Sequence, residues 1–271
     1  MMLREHLALS NLHLQHPHPD VFVTCKCKSP FPYLCWRVFW ALYHSSWLFA
    51  NFAVAALDSD VSVAKWFIYL SNWVYLMIAI ETILELAVVV GVVYGRADGT
   101  TTSCTKLPRY VQVMWLLYTM CVTGAMMVCL WYWTTVYKGK ELTAIRFNTH
   151  AVVAIYVILN MAVTKVPLRL LHFIYPVAFG VIYTLFSAIY YCMDGTNQNG
   201  DRYIYSILDW SKPGRTLVVS SLSNFIFIPL VHVFMWALCS GFQKLYDRFR
   251  NRVIVYDQSL TNTMEEKSSP T

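Results

Sequence analysis

The amino-acid sequence predicts an all-α integral membrane protein, a bundle of six transmembrane helices with both termini in the cytosol. Hydrophobic residues make up 57% of the 271 residues and charged residues only 13%, whereas about a quarter of the residues in an average soluble domain are charged. The mean hydropathy of +0.46 points the same way. A soluble fold of this length cannot bury so much apolar surface, so composition alone indicates the class.

Six apolar runs carry this prediction, because each is long enough for the roughly 20 residues that a bilayer requires. The predicted spans are residues 38–57, 66–93, 110–133, 147–163, 173–191 and 217–242. Together they form a membrane domain over residues 33–242, between a flexible cytosolic tail over 1–32 and a second cytosolic tail over 243–271. No apolar run lies near Met1, so we expect the first span to act as the insertion signal.

The distribution of basic residues predicts which side of the membrane each loop faces. Of the 21 Lys and Arg residues, 14 lie before the first span, in the loops after spans two and four, or in the C-terminal tail. Basic residues accumulate on the cytosolic side of membrane proteins, so both tails are predicted to be cytosolic. The net charge of +6 therefore indicates membrane topology. It does not indicate nucleic-acid binding, for which the sequence carries no signature.

Three cysteines, Cys25, Cys27 and Cys35, lie among basic residues just before the first predicted span. Cysteines in that position are candidates for reversible palmitoylation, and reduced cytosolic thiols are the alternative. Cys25 and Cys27 form a lone CxC without a second pair, and prolines separate the histidines of the N-terminal tail. We therefore predict no metal site and no cofactor.

Polar residues inside a membrane are energetically unfavourable and are therefore candidates for function. Ser71 in span two and His150 in span four lie at matching depth, about one to one and a half turns from the outer end. An imidazole that removes a hydroxyl proton is the minimum for nucleophilic catalysis, whereas a helix-bonded serine and a capping histidine are the structural alternative. Asp209, in the outer loop, is the carboxylate that we favour for orienting the imidazole as in a catalytic triad.

Glu81 and Glu85 lie one turn apart in span two, and Lys165 lies near the inner end of span four. Glu85 and Lys165 have similar depth in the bilayer at about 1.5 Å per residue. We predict a structural ion pair between Glu85 and Lys165, with a proton relay as the alternative.

Four blocks of sequence resemble the Rolling stone proteins, and the resemblance covers about residues 30–250. The blocks are YLSNW at 69–73, FNTHAVVAIYVILNM at 147–161, VPLRLLHFIYPVAFGVIY at 166–183 and YIYSILDWSKPGR at 203–215. The resemblance implies a multi-pass membrane protein that acts in the fusion of myoblasts during muscle development. It favours the plasma membrane over the endoplasmic reticulum, with membrane lipids and other membrane proteins at cell contacts as partners.

That family is in turn similar to the androgen-induced membrane hydrolases, six-span proteins that use an intramembrane threonine and histidine to cleave fatty acid esters of hydroxy fatty acids. Ser71 follows Tyr69 and Leu70 where those proteins have a threonine after Phe-Leu, and His150 precedes Met161 by 11 residues as their histidine precedes a methionine. This similarity implies an alternative function, an intramembrane lipid-ester hydrolase with Ser71 as nucleophile and His150 as base.

Overall fold

The computed structural model describes residues 6–26, 30–57, 63–95, 106–139 and 141–268, which form helices joined by short connections. No strand occurs within these ranges, where a single isolated bridge pairs Cys25 with Thr164. The all-helical class predicted from composition is therefore confirmed.

Six long helices follow one another along the chain. Helix α1 is Pro30–Leu57, α2 is Leu70–Gly95, α3 is Arg109–Trp131, α4 is Ala144–Val163, α5 is Ile174–Cys192 and α6 covers residues 213–268. Short 3-10 turns, Val63–Ile68 and Leu170–Phe173, lead into α2 and α5. Each of the six apolar runs of the sequence lies largely within one of these helices.

Prolines mark the starts of three helices. Pro30 and Pro213 are the first residues of α1 and α6, and Pro108 directly precedes α3. Proline suits the first turn because the backbone N–H groups there have no partner within the helix. As a consequence α1 starts at residue 30 rather than at 38, and this places Arg37 inside the helix.

Five helices of the described chain are long and apolar enough to cross a membrane. They are Leu70–Gly91, Arg109–Val136, Ala144–Val163, Leu170–Cys192 and Pro213–Ile254. The protein is thus a multi-pass membrane protein by the length and composition of its helices. The first predicted span, residues 38–57, lies within α1, a helix of 28 residues that is not one of these five.

The core of the bundle lies where α1 packs against α2, α2 against α3, and α3 against α4 and α6. Its largest buried side chains include Trp115, Tyr75, Ile78, Met161 and Met235. The outward faces of α5 and α6 expose large aliphatic side chains, among them Ile182, Leu185 and Leu230. A helix with apolar side chains all round is typical of the interior of a membrane.

Three π turns interrupt the regular helices in the part of the chain that the structure describes. They are Tyr132–Val136 after α3, Asn148–Val152 inside α4 and Ser223–Phe227 inside α6. A π turn inserts a residue into the helix, and such turns are frequent at functional sites. In α4 the π turn leaves Asn148 buried and His150 only half-buried.

The described part of the N-terminal segment, residues 6–26, packs against one end of the bundle. The sequence predicts a flexible tail for this segment. Phe22 is buried against Trp115, with ring centroids 5.0 Å apart. The backbone N–H of Lys26 donates to Val163 O at 2.9 Å, and its Nζ donates to Met161 O at 2.8 Å. The last carbonyls of a helix have no partner within the helix, so this segment caps the end of α4.

Candidate functional site

Ser71 and His150 are not joined in the structure. Ser71 lies half-buried at the start of α2, where the hydroxyl of Tyr205 from the loop before α6 lies beside it. Burial raises the pKa of Tyr205 to about 12, against a smaller lowering by Ser71. Among the described residues no hydrogen bond connects Ser71 with His150, so the predicted nucleophile has a phenol rather than an imidazole as its neighbour.

His150 is held by an aromatic contact instead. Its ring stacks on that of Tyr132, with centroids 3.6 Å apart and planes 5° apart. Nδ1 of His150 is buried and has no hydrogen-bond partner in the described chain. Both rings lie on π turns, and the turn in α4 directs Asn148 rather than His150 toward α2.

Asp209, the predicted third member of the triad, is engaged within its own loop. Its Oδ1 accepts hydrogen bonds from the backbone N–H of Ser211 at 3.0 Å and from the Ser211 hydroxyl at 2.6 Å. Its Oδ2 lies 4.0 Å from Nζ of Lys212. The bond from the Ser211 hydroxyl lowers the pKa of Asp209, so this carboxylate stabilises a turn and does not orient His150.

The predicted ion pair between Glu85 and Lys165 is replaced by a different one. Glu85 pairs with Arg37 of α1, and both side chains are almost completely buried. Lys165 lies instead with its Nζ 5.5 Å from the ring centroid of Tyr246 on α6. Arg37 takes the place predicted for Lys165, because α1 includes residues 30–37 before the predicted start of the first span at residue 38.

The three lipidation candidates differ in accessibility. Cys25 is buried, whereas Cys35 is exposed on α1. Cys27 lies outside the described residues. An acyl chain on Cys25 would require the N-terminal segment to leave the bundle, so the structure favours Cys35 over Cys25 as an acceptor.

Arg37 is the centre of a buried group of polar side chains near the end of the bundle that carries Thr164. Its Nη1 donates to Asn160 Oδ1 at 2.9 Å as well as to Glu85. Its Nη2 donates to the Tyr33 hydroxyl at 2.6 Å and to Thr164 Oγ1 at 3.3 Å. These bonds join α1, α2 and α4 through one guanidinium group, whose rigid fork of donors suits several acceptors at once.

Glu81 lies one turn from Glu85, next in line toward the other end of the bundle. The Tyr156 hydroxyl of α4 donates to Glu81 Oε2 at 3.3 Å. The Glu81 carboxyl also lies within hydrogen-bonding reach of the Glu85 carboxyl. Two buried carboxyl groups therefore face a single guanidinium.

A second set of polar groups continues toward the end that carries Asn148. Asn148 Nδ2 donates to the Tyr75 hydroxyl at 2.7 Å, and Asn148 Oδ1 accepts from the Tyr43 hydroxyl at 2.9 Å. His44 Nδ1 lies 3.4 Å from the Tyr75 hydroxyl, and its ring packs against Tyr156 with centroids 4.6 Å apart.

These groups form a line through the core of α1, α2 and α4, which we term the polar column. Its members are Tyr33, Arg37, Tyr43, His44, Tyr75, Glu81, Glu85, Asn148, Tyr156, Asn160 and Thr164. Asn148 and Thr164 are 16 residues apart on α4, or about 24 Å at 1.5 Å per residue. The polar column therefore extends over most of the roughly 30 Å thickness of a bilayer core.

Part of the polar column is visible in the sequence. Glu81 and Glu85 are polar residues in apolar surroundings, whereas Arg37 lies just before the first predicted span and counts among the basic residues on the cytosolic side. Pro30 and Pro32 were the signal that α1 begins before Arg37, because proline is favoured in the first turn of a helix. No group of three or more His, Cys, Asp or Glu side chains in the described ranges is placed to hold a metal ion.

Long apolar helices around an almost completely buried ion pair define a polytopic helical membrane protein. The chain belongs to the family described as Protein rolling stone, which it matches over residues 25–261. It is 29% identical over 229 residues to protein rolling stone of Drosophila melanogaster, and this alignment covers 80% of the chain and 78% of that protein. The family resemblance seen in the sequence is confirmed. No solved structure matches the chain.

Proposed function

We propose that this chain acts in the fusion of myoblasts during muscle development, as a multi-pass protein of the plasma membrane. Membership of the rolling stone family over residues 25–261 is the observation that carries the proposal. The similarity to the Drosophila protein extends over most of both chains, so it is not limited to one motif.

The proposed topology has six spans, with α1 as the first, and places both termini in the cytosol. Two observations support it: α1 packs along α2, and 14 of the 21 Lys and Arg residues fall on the side assigned to the cytosol. Protease treatment of intact cells should leave N-terminal and C-terminal tags intact until the plasma membrane is permeabilised. Digestion of either tag on intact cells would overturn this topology.

A role in fusion would depend on lipids or partner proteins. The loop over residues 193–212 is long, but its regular structure within the described chain is one 3-10 turn, Ser206–Leu208, so it offers no folded domain to bridge two cells. An open apolar groove of about 530 Å³ lies between α2 and α5. Its lining suits the acyl chains of membrane lipids and consists of Ala64, Phe67, Ile68, Trp73, Leu76, Met77, Phe179, Phe186 and Tyr190.

The fusion role is tested by removing the protein from muscle precursor cells. Two populations that carry different cytosolic dyes are mixed, and cells with both dyes are counted. We expect depletion to reduce the number of doubly labelled cells and re-expression of the full chain to restore it. Surface biotinylation of the re-expressed chain checks that it reaches the plasma membrane. Unchanged counts after depletion would contradict the role.

The alternative function, a lipid-ester hydrolase, has no comparable support. It requires the hydroxyl of Ser71 to transfer its proton to His150. Ser71 lies beside Tyr205, and His150 stacks on Tyr132. The geometry therefore does not support hydrolysis by this pair.

A further inference from the structure

The contact between Glu81 and Glu85 requires a proton. Both side chains are almost completely buried, and their carboxyl groups lie within hydrogen-bonding reach of each other. An ionised carboxylate only accepts hydrogen bonds. Two carboxylates cannot bond to each other, and like charges one turn apart on a helix repel. A carboxylic acid that donates to a carboxylate resolves both difficulties.

The charges around the pair identify which carboxyl group holds the proton. Arg37 forms an ion pair with Glu85, so one positive charge balances one negative charge. A second negative charge in the core would be uncompensated, and the effective penalty for burying an unpaired ion is several kcal/mol. Glu81 accepts a hydrogen bond from the neutral Tyr156 and has no ion pair within the described residues.

Unpartnered atoms indicate where the proton lies. Oε1 of Glu81 and Oε1 of Glu85 are both buried without a hydrogen-bond partner in the described chain, as is the hydroxyl of Tyr118. Tyr118, on α3, is 1% exposed and lies within electrostatic range of both carboxyl groups. A proton on Glu81 that is donated to Glu85 would supply a hydrogen bond to two carboxyl groups whose Oε1 atoms otherwise have none, which matters because a buried unsatisfied polar group costs about 1–3 kcal/mol.

We propose that the Glu81 carboxyl, beside the Arg37–Glu85 ion pair inside the bundle, is a proton-binding site. The ligand is a single proton, held as a carboxylic acid that donates to Glu85. The neighbouring ionisable groups come from every helix around the site and are Arg37 of α1, Glu85 of α2, Tyr118 and Cys121 of α3, and Tyr156 of α4.

Infrared spectroscopy of the purified full-length chain in lipid nanodiscs tests this site. At neutral pH the carbonyl stretch of a protonated carboxylic acid is distinct from the bands of carboxylates and shifts in deuterium oxide. We expect the wild type to show this band and Glu81→Gln to lose it. Glu141→Gln, at an exposed position outside the helices, is the matched control and should keep the band. Absence of the band from the wild type, or its persistence in Glu81→Gln, would overturn the proposal.

Stability measurements give a second, independent readout. A carboxamide reproduces the donor and acceptor of a protonated acid, so Glu81→Gln should fold with an unfolding midpoint close to that of the wild type. Glu85→Gln removes the carboxylate that balances Arg37 and should lower the midpoint strongly. If Glu81→Gln fails to fold, or destabilises the protein as much as Glu85→Gln does, Glu81 is ionised and the proposal is wrong.

Discussion

His150 lies flat against Tyr132, with ring centroids 3.6 Å apart and the planes 5° apart. The stack joins the π turn in α4 to the π turn after α3. At this separation the atoms of the two rings are in van der Waals contact. The arrangement gives His150 a packing role at the position where the sequence predicts a catalytic base.

Labelling by a fluorophosphonate probe should not depend on Ser71 or His150. A serine reacts with such a probe when a base removes its proton, and the described structure places no imidazole in hydrogen-bonding contact with Ser71. We expect the wild type, Ser71→Ala and His150→Ala to be labelled equally in membranes.

The control for this experiment is His150→Phe, which retains a ring to stack on Tyr132 and removes the base. If His150→Ala lost the label while His150→Phe kept it, loss of the stack on Tyr132, and not loss of the base, would explain the effect. If Ser71→Ala, His150→Ala and His150→Phe all lost the label, the two residues would form a reactive pair after all.

Disrupting the pair of Arg37 and Glu85 should destabilise the bundle far more than disrupting a pair at the surface. Removing one partner of a buried ion pair costs about 3–5 kcal/mol because the other charge stays buried. We therefore expect Arg37→Met to lower the midpoint of thermal unfolding sharply in detergent.

A surface pair within the same chain provides the matched control. Arg202 and Asp194 form an ion pair in the loop after α5, with side chains 56% and 81% exposed. Exposed pairs contribute about 0–1 kcal/mol, so Asp194→Asn should leave the midpoint nearly unchanged. Asparagine also tolerates the φ of 55° at this position. Equal changes in the unfolding midpoint for Arg37→Met and Asp194→Asn would show that the buried pair stabilises the bundle no more than the surface pair does.

The helices were predictable because each one is a long apolar run, and this signal requires no knowledge of tertiary contacts. The start of α1 was missed because Arg37 marked the apparent edge of the apolar run, while Pro30 fixes the actual start. The consequence at the site is direct, since a cation outside the predicted spans is no candidate partner for Glu85, whereas Arg37 inside α1 is its partner.

The contacts of the candidate site were less predictable for a physical reason. Depth along a helix can be counted at 1.5 Å per residue, but the direction of a side chain around the helix changes by about 100° with each residue. The π turn Asn148–Val152 changes that direction again. Ser71 and His150 thus share a depth without sharing a contact, and Asn148 makes the contact with Tyr75 instead.

Acyl exchange should report on Cys35 and not on Cys25. Cys35 is exposed on α1, whereas Cys25 is 6% exposed and lies in the segment that caps α4. If the chain is palmitoylated, we expect Cys35→Ser to reduce hydroxylamine-sensitive exchange and Cys25→Ser to leave it unchanged. A decrease with Cys25→Ser alone would mean that the N-terminal segment leaves the bundle in cells.

Gly180 should tolerate no side chain, because α5 and α6 approach each other closely at this position. A Cβ added there would lie 2.3 Å from Asn224 Oδ1 and 2.8 Å from Ile228 Cδ1. Small residues at such crossings allow membrane helices to pack closely, and overpacking a tight contact costs about 1–3 kcal/mol. We expect Gly180→Ala to lower the midpoint of thermal unfolding in detergent.

Gly91→Ala on α2 is the control, since a Cβ there meets no atom of the described chain within 4 Å. Alanine favours the helix over glycine by up to about 1 kcal/mol, so Gly91→Ala should leave the midpoint unchanged or raise it. A midpoint for Gly180→Ala at or above that of Gly91→Ala would show that α5 and α6 are not in close contact at Gly180.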